Sequence, residues 1–169
     1  MERTVTMRGK PLTLVGTALK VGDKAPDFNL VDNSLAKTGL ASYKGKVVVI
    51  SAVPSLDTPV CDVETRRFNV EAGKLGDEVA VLTISMDLPF AQKRWCGAAG
   101  VSHVTTLSDY MDANFGLAYG VLIKELRLLA RAVFVIGKDN TIRHIEIVGE
   151  IAKEPDYEVC LKAVGACLK

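Results

Sequence analysis

The stretch that decides the fold is Lys46–Cys61, "KVVVISAVPSLDTPVC". Its first half is a continuous apolar, β-branched run, the pattern of a central strand covered on both faces. Its second half stops that strand and starts a helix. Thr58 is a good N-cap and Pro59 is the residue best tolerated at the first helical position. Counting from that cap puts Cys61 at N3, in the first turn of a helix expected to run to about Leu75.

A cysteine in that position invites a chemical reading. The N-terminus of a helix carries a partial positive charge, which favours a thiolate over a thiol. The Thr58 hydroxyl can also rotate to donate to the sulfur. The preceding strand would present the turn at its C-terminal end, where open α/β sheets place their sites. The plainest alternative is that Cys61 is a small apolar residue packing a helix start. Asp62 and Glu64 lie close in sequence and would work against a thiolate, so a cation is needed as well. Arg66 and Arg67 follow on the same helix but read as solvated surface charges. Arg131 is more informative, because it interrupts the apolar strand "LLARAVFVIG". A charge inside a buried strand must be paired, either with the thiolate or with a structural carboxylate.

Working outward, "TVTMRGKPLTLVG" alternates on either side of Gly9-Lys10-Pro11 and predicts an N-terminal hairpin. "VGDKAPDFNLVD" reads as a loop and a short strand, and "VAVLTISMD" as a second buried strand. Leu88-Pro89 opens a short helix, "FAQKRWC", that Gly97 can stop. "VTTLSD" is a short strand, "LLARAVFVIGKDNTIRHIEIVG" a hairpin turned at Lys138-Asp139-Asn140, and "PDYEVCLKAVGACLK" a C-terminal helix. The order predicts an α/β protein of thioredoxin-like fold, a central mixed β-sheet flanked by helices, with an N-terminal β-hairpin extension. With 169 residues and no repeat or linker, residues 1–169 are expected to form a single domain.

Composition narrows the function. The chain is 49% hydrophobic and 24% charged, with formal net charge +1. That balance offers no electrostatic case for nucleic acid or an anionic membrane surface. No apolar run approaches the roughly 20 residues of a membrane helix, and the N-terminus has no signal-peptide core. A cytoplasmic setting is therefore expected, where the thiols of Cys61, Cys96, Cys160 and Cys167 stay reduced. Cys160 and Cys167 lie seven apart on the last helix, which is the spacing of a buried stripe. Acyl-transfer chemistry would want a Cys–His pair, but the only histidines, His103 and His144, read as structural or solvent-facing. No C-x-x-C, GxGxxG or P-loop is present, which argues against a zinc site, a dithiol reductase of thioredoxin type and nucleotide binding.

"DTPVC" after "VVVISAVP", then "SMDLPFAQKRWC", then "LLARAVFVI", resembles the thiol peroxidase group of the atypical two-cysteine peroxiredoxins. The resemblance extends over nearly the whole chain, including "PLTLVG" and "VGDKAPDF". Pro54, Thr58 and Cys61 fit the family's Pro-x-x-x-Thr-x-x-Cys signature. It implies that Cys61 is the peroxidatic cysteine and Cys96 the resolving one, joined as an intramolecular disulfide after Cys61 is oxidised to sulfenic acid. It further implies that Thr58 hydrogen-bonds the sulfur and the peroxide, that Arg131 holds the thiolate and polarises the O–O bond, and that Pro54 shields the pocket. The implied activity is a thiol-specific peroxidase for hydrogen peroxide and organic hydroperoxides, with thioredoxin as reductant, no metal or organic cofactor, and a homodimeric state. Trp95 beside Cys96 reads as packing. The competing class is a redox sensor or binding module in which Cys61 oxidation switches a partner interaction without turnover.

Overall fold

The computed structural model describes residues 2–169. In chain order the elements are β1 (Arg3–Met7), β2 (Lys10–Val15), β3 (Leu30–Val31), β4 (Lys37–Thr38), a 3-10 turn at Leu40–Tyr43, β5 (Val47–Ala52), α1 (Pro59–Leu75) and β6 (Val79–Ser85). Then follow α2 (Pro89–Ala99), β7 (Thr105–Ser108), α3 (Asn114–Ala118), β8 (Leu122–Ile123), β9 (Leu128–Leu129), β10 (Ala132–Ile136), β11 (Ile142–Ile147) and α4 (Tyr157–Cys167).

The main sheet is mixed, with strand order β11-β10-β5-β6-β7-β3-β4. Strands β5, β6 and β7 run parallel, and β10 lies antiparallel to β5 with Ala132 opposite Ala52. Every residue of β5 and of β10 is buried. Their unbroken apolar runs follow from what covers each face. Val47, Val49, Val81, Val133 and Val135 pack with Phe68 of α1 and with Cys160 and Val164 of α4. The alternate residues Val48, Ile50, Leu82, Phe134 and Ile136 pack on the other face with Phe115, Tyr119 and the second sheet. Each such side chain contributes about 1.5–3 kcal/mol by leaving water.

That second sheet, β1-β2-β8-β9, was not predicted as a sheet. The N-terminal hairpin is present, but it turns on Arg8 and Gly9, both at positive φ (50° and 79°), and Lys10 already belongs to β2. A two-residue turn of this hand matches the twist of the strands. The hairpin then pairs with β8, with Leu14 opposite Ile123, so it is one half of a sheet. β8 and β9 have two residues each and α3 five, too short for periodicity to reveal.

Helix α2 also differs from expectation. It runs through Gly97 to Ala99 and ends at Gly100, whose φ of 68° is left-handed. A mid-helix glycine costs about 1 kcal/mol but leaves the hydrogen-bond ladder intact. The stop comes where the chain needs the left-handed residue, and there both Gly100 and Val101 donate their amides to the Cys96 carbonyl. Among the described residues no helix is long and apolar enough to cross a membrane.

Candidate functional site

The turn between β5 and α1 follows the expected count. Thr58 is the N-cap of α1 in extended conformation, Pro59 opens the helix, and Cys61 stands at the third position, fully buried. Pro54 is buried where the chain leaves β5. The Thr58 hydroxyl corrects one expectation: it donates to the Ser55 carbonyl at 2.8 Å, neither capping α1 nor reaching the sulfur. That carbonyl closes the tight Ser55–Thr58 turn, also accepting the Thr58 amide at 3.2 Å.

Helix α1 turns Cys61, Glu64, Thr65 and Phe68 inward, the i, i+3, i+4, i+7 stripe of a buried helix face. Arg131, between β9 and β10, reaches this stripe from across the sheet and is 2% exposed. Its Nη2 donates to Cys61 Sγ at 3.3 Å, its Nη1 to Glu64 Oε1 at 3.0 Å, and its Nε to the Ile151 carbonyl at 2.8 Å. Both pairings considered for this arginine therefore occur together. Burial opposes its charge, yet Cys61 and Glu64 outweigh burial and push its ionisation upward. The guanidinium places positive charge against the sulfur, which stabilises negative charge there.

Glu64 was read from sequence only as a nearby like charge. In the structure it is fully buried, paired with Arg131, and accepts a short hydrogen bond from Ser51 of β5. Burial raises its carboxyl above the usual range, opposed by Arg131 and then by Ser51. The inward stripe was the available signal: a carboxylate three residues after Cys61 on a buried face requires a cation.

Cys96 lies in the last two turns of α2, half-buried, and packs at the edge of the cluster formed by Val53, Leu56, Cys61 and Trp95. Its sulfur is 3.5 Å from the Thr106 hydroxyl, which donates to Asn33 Oδ1. Both Cys61 and Cys96 are free thiols. Trp95, which read as packing, also donates its indole N–H to Asp62 at 2.9 Å. A groove over the first turn of α1 is lined by Leu56, Asp57, Thr58, Pro59, Val63 and Trp95. A separate cavity of about 280 Å³, lined by Ala25, Leu40, Tyr43, Val48 and Ile136, sits at the opposite end of β5 and touches none of these cysteines.

The remaining thiols face other surroundings. Cys160 is fully buried among β-sheet valines, and burial pushes its thiol up to about 12. Burial raises Cys167 as well. Neither histidine hydrogen-bonds Cys61: His103 is exposed at the foot of α1, and His144 pairs with Val135 in the hairpin. Among the described residues no three His, Cys, Asp or Glu side chains are grouped to hold a metal ion.

A family model described as Redoxin matches residues 20–161. A thiol peroxidase of Bacillus subtilis (strain 168) is 56% identical over 165 residues, covering 98% of each chain. A thiol peroxidase of Streptococcus pneumoniae (strain ATCC BAA-255 / R6) is 53% identical over 162 residues, covering 96% of this chain and 99% of its own. Among solved structures, a peroxiredoxin-like protein from Aquifex aeolicus superposes with a TM-score of 0.92 at 44% identity, covering 99% of this chain and 98% of its own. A thiol peroxidase from Chromobacterium violaceum, at 20% identity and TM-score 0.87 over 98% and 97%, shares the fold. The chain belongs to the redoxin family. Within it, it stands in the thiol peroxidase group of peroxiredoxin-type peroxidases.

Proposed function

We propose that this protein reduces hydrogen peroxide and organic hydroperoxides through Cys61, with Cys96 resolving the oxidised sulfur and thioredoxin restoring both thiols. The observation that carries the reading is the 3.3 Å contact from Arg131 to the Cys61 sulfur, made by a guanidinium whose other donors are held by Glu64 and Ile151.

In this mechanism the Cys61 thiolate attacks the terminal oxygen of the hydroperoxide. The S–O bond forms as the O–O bond breaks, and the leaving oxygen departs with a proton as water or an alcohol. Arg131 stabilises charge on the sulfur beforehand and on the leaving oxygen as it develops. Pro54 and the apolar residues around Cys61 keep bulk water away. The Cys96 sulfur then attacks the sulfenic sulfur of Cys61, and a dithiol reductant reopens the disulfide by exchange. Cys160 is fully buried among the sheet valines on the α4 face, which leaves it outside the cycle. Residues 1–169 work as one domain in this reading, supported by a core that draws on both sheets. A reducing cytoplasm supplies the reductant. The exposed Leu88 and Phe90 at the start of α2 leave apolar surface for a second copy of the chain.

The test is a peptide map after one equivalent of hydrogen peroxide, with free thiols blocked. A Cys61–Cys96 disulfide within one chain, reducible by thioredoxin, is the expected result. Cys61→Ser should abolish peroxide consumption, and retained consumption would overturn the reading. A Cys61 sulfenic acid beside a free Cys96 would instead indicate a one-cysteine enzyme or a sensor, and would overturn the resolving role of Cys96.

A further inference from the structure

The resting arrangement of α2 opposes the disulfide that the proposed function requires. A disulfide needs its two Cα atoms within about 7 Å and its sulfurs in bonding contact. Yet Cys96 turns toward Thr106 on β7 and lines a shallow groove with Asp32, Asn33 and Val101. Its neighbour Trp95, about 100° round the helix, joins the buried cluster that contains Cys61. The indole is nine-tenths buried in the cluster that holds Val53, Leu56 and Cys61, so the Cys96 sulfur, at the edge of that cluster, must enter a space already filled.

Two side chains of α1, Asp62 and Arg66, keep the indole there. Trp95 donates to Asp62 Oδ2 at 2.9 Å, and Arg66 Nε donates to Asp62 Oδ1 at 2.6 Å. The Arg66 guanidinium lies 5.7 Å from the Trp95 ring centroid and donates to the Ala99 carbonyl at 3.3 Å. The Arg66–Asp62 pair lies within α1, and the other three ties join α1 to the C-terminal half of α2. The N-terminal half is anchored elsewhere. Gln92 is fully buried and donates to Ser85 Oγ at 3.0 Å and to the Leu107 carbonyl at 2.8 Å. Ser85 in turn donates to Asp87, which also accepts the Leu56 amide. Beyond Gln92 come exposed Lys93 and Arg94, and after Cys96 the unbranched backbone of Gly97.

We propose that Asp62, Arg66 and Trp95 are positioning residues for the resolving step. They form a clasp that holds the C-terminal half of α2 in the helix. When Trp95 leaves Asp62, the chain from Lys93 to Gly100 unwinds against the Gln92 anchor, and Cys96 enters the space the indole vacates. Its sulfur attacks the Cys61 sulfenic sulfur, the S–S bond forms as the S–O bond breaks, and the hydroxyl leaves as water with the Cys96 proton. The clasp thereby sets how long the sulfenic acid persists. It decides how often a second peroxide oxidises Cys61 to the sulfinic acid before Cys96 arrives.

The inference rests on the Cys61–Cys96 cycle proposed above. The test compares wild type, Trp95→Phe, which keeps the apolar ring and removes the N–H, and Asp62→Asn, which keeps an acceptor for the indole but not the charge facing Arg66. Quenched-flow samples after one equivalent of hydrogen peroxide would be thiol-blocked and mapped by mass spectrometry. Thermal melts would confirm folding, and indole fluorescence would follow Asp62→Asn and wild type. Trp95→Phe should form the disulfide roughly five-fold faster, Asp62→Asn less so, and both should accumulate less sulfinic acid under excess peroxide. Folded variants with wild-type disulfide rates and sulfinic yields overturn the clasp. If Trp95→Phe does not fold, Asp62→Asn decides the question by the same two readouts. A wild type that consumes peroxide without forming the disulfide overturns the resolving role of Cys96 instead, independently of the clasp.

Discussion

The Arg131 guanidinium divides its donors among Cys61, Glu64 and Ile151, so its removal should affect reactivity and stability together. If the thiolate were its only partner, Arg131→Met would slow oxidation far more than it weakened folding. The buried Glu64 changes that expectation, because removing one partner of a buried pair leaves an uncompensated charge, at about 3–5 kcal/mol. Arg131→Met should slow Cys61 oxidation by the first equivalent of peroxide about 10²- to 10³-fold and also lower the melting temperature. Adding Glu64→Gln should restore much of the stability and little of the rate, since the neutral amide no longer needs a cation. Stopped-flow oxidation and thermal melts on the two single variants and the double variant would check this. A double variant with a recovered rate would mean that Arg131 acts on Cys61 only through folding.

At the scale of elements, the N-terminal hairpin buttresses the strap that holds Arg131. Thr6 donates its amide to the Gly149 carbonyl at 2.7 Å, and its own carbonyl accepts the Ile151 amide at 2.9 Å. Glu150 closes the junction, accepting from the amides of Gly9 and Ala152 and from the Thr6 hydroxyl. The Ile151 carbonyl then takes the Arg131 Nε. Hydrogen bonds from the amides of Ala152 and then Gly9 hold the Glu150 carboxyl down at about 2, against an ordinary 4.5. A carboxyl depressed by folding adds stability that is complete above its unfolded value and is lost as pH falls through the folded one. Glu150→Gln should therefore be less stable at neutral pH and should lose less melting temperature than wild type between pH 4.5 and pH 2. Parallel slopes for the two proteins in that range would show that this junction contributes no pH-dependent stability.

Across the whole molecule, the aromatic cluster joins the main sheet to the smaller one. Phe115 of α3 stacks on Tyr119 at 4.5 Å and meets Phe28 and Phe134 edge-on at 5.8 Å and 6.3 Å. The same core takes Val5 and Leu14 from the hairpin and Leu122, Ile123 and Leu129 from β8 and β9. Phe115→Ala should cost about 3–5 kcal/mol, a fall in melting temperature of roughly 6–20 °C, measurable by calorimetry. A change of a degree or two would mean that the two sheets are held together elsewhere.

The legible features were those written within a few residues of one another. The β-branched run Val47–Ala52, the Thr58-Pro59 helix start, the position of Cys61 and the β10–β11 hairpin all follow from local pattern and backbone chemistry. The two-residue strands β8 and β9 were not legible, because only pairing, of β8 with β2 and of β9 with β8, makes them strands. The end of α2 was misplaced because a mid-helix glycine resembles a stop until Gly100 is seen in the left-handed conformation. The side-chain partners of Arg131, Glu64 and Cys61, lie 67 and 70 residues away, and no local pattern encodes a contact at that separation. Local pattern was enough for the strand, the helix start at Thr58-Pro59 and the cysteine in the first turn, since these depend on covalent geometry and neighbouring residues. It took the packed structure to reveal that Glu64 is a buried partner rather than a repelling neighbour, and that Trp95 is buried in the cluster around Cys61 while Cys96 packs at its edge. Both depend on which faces pack together.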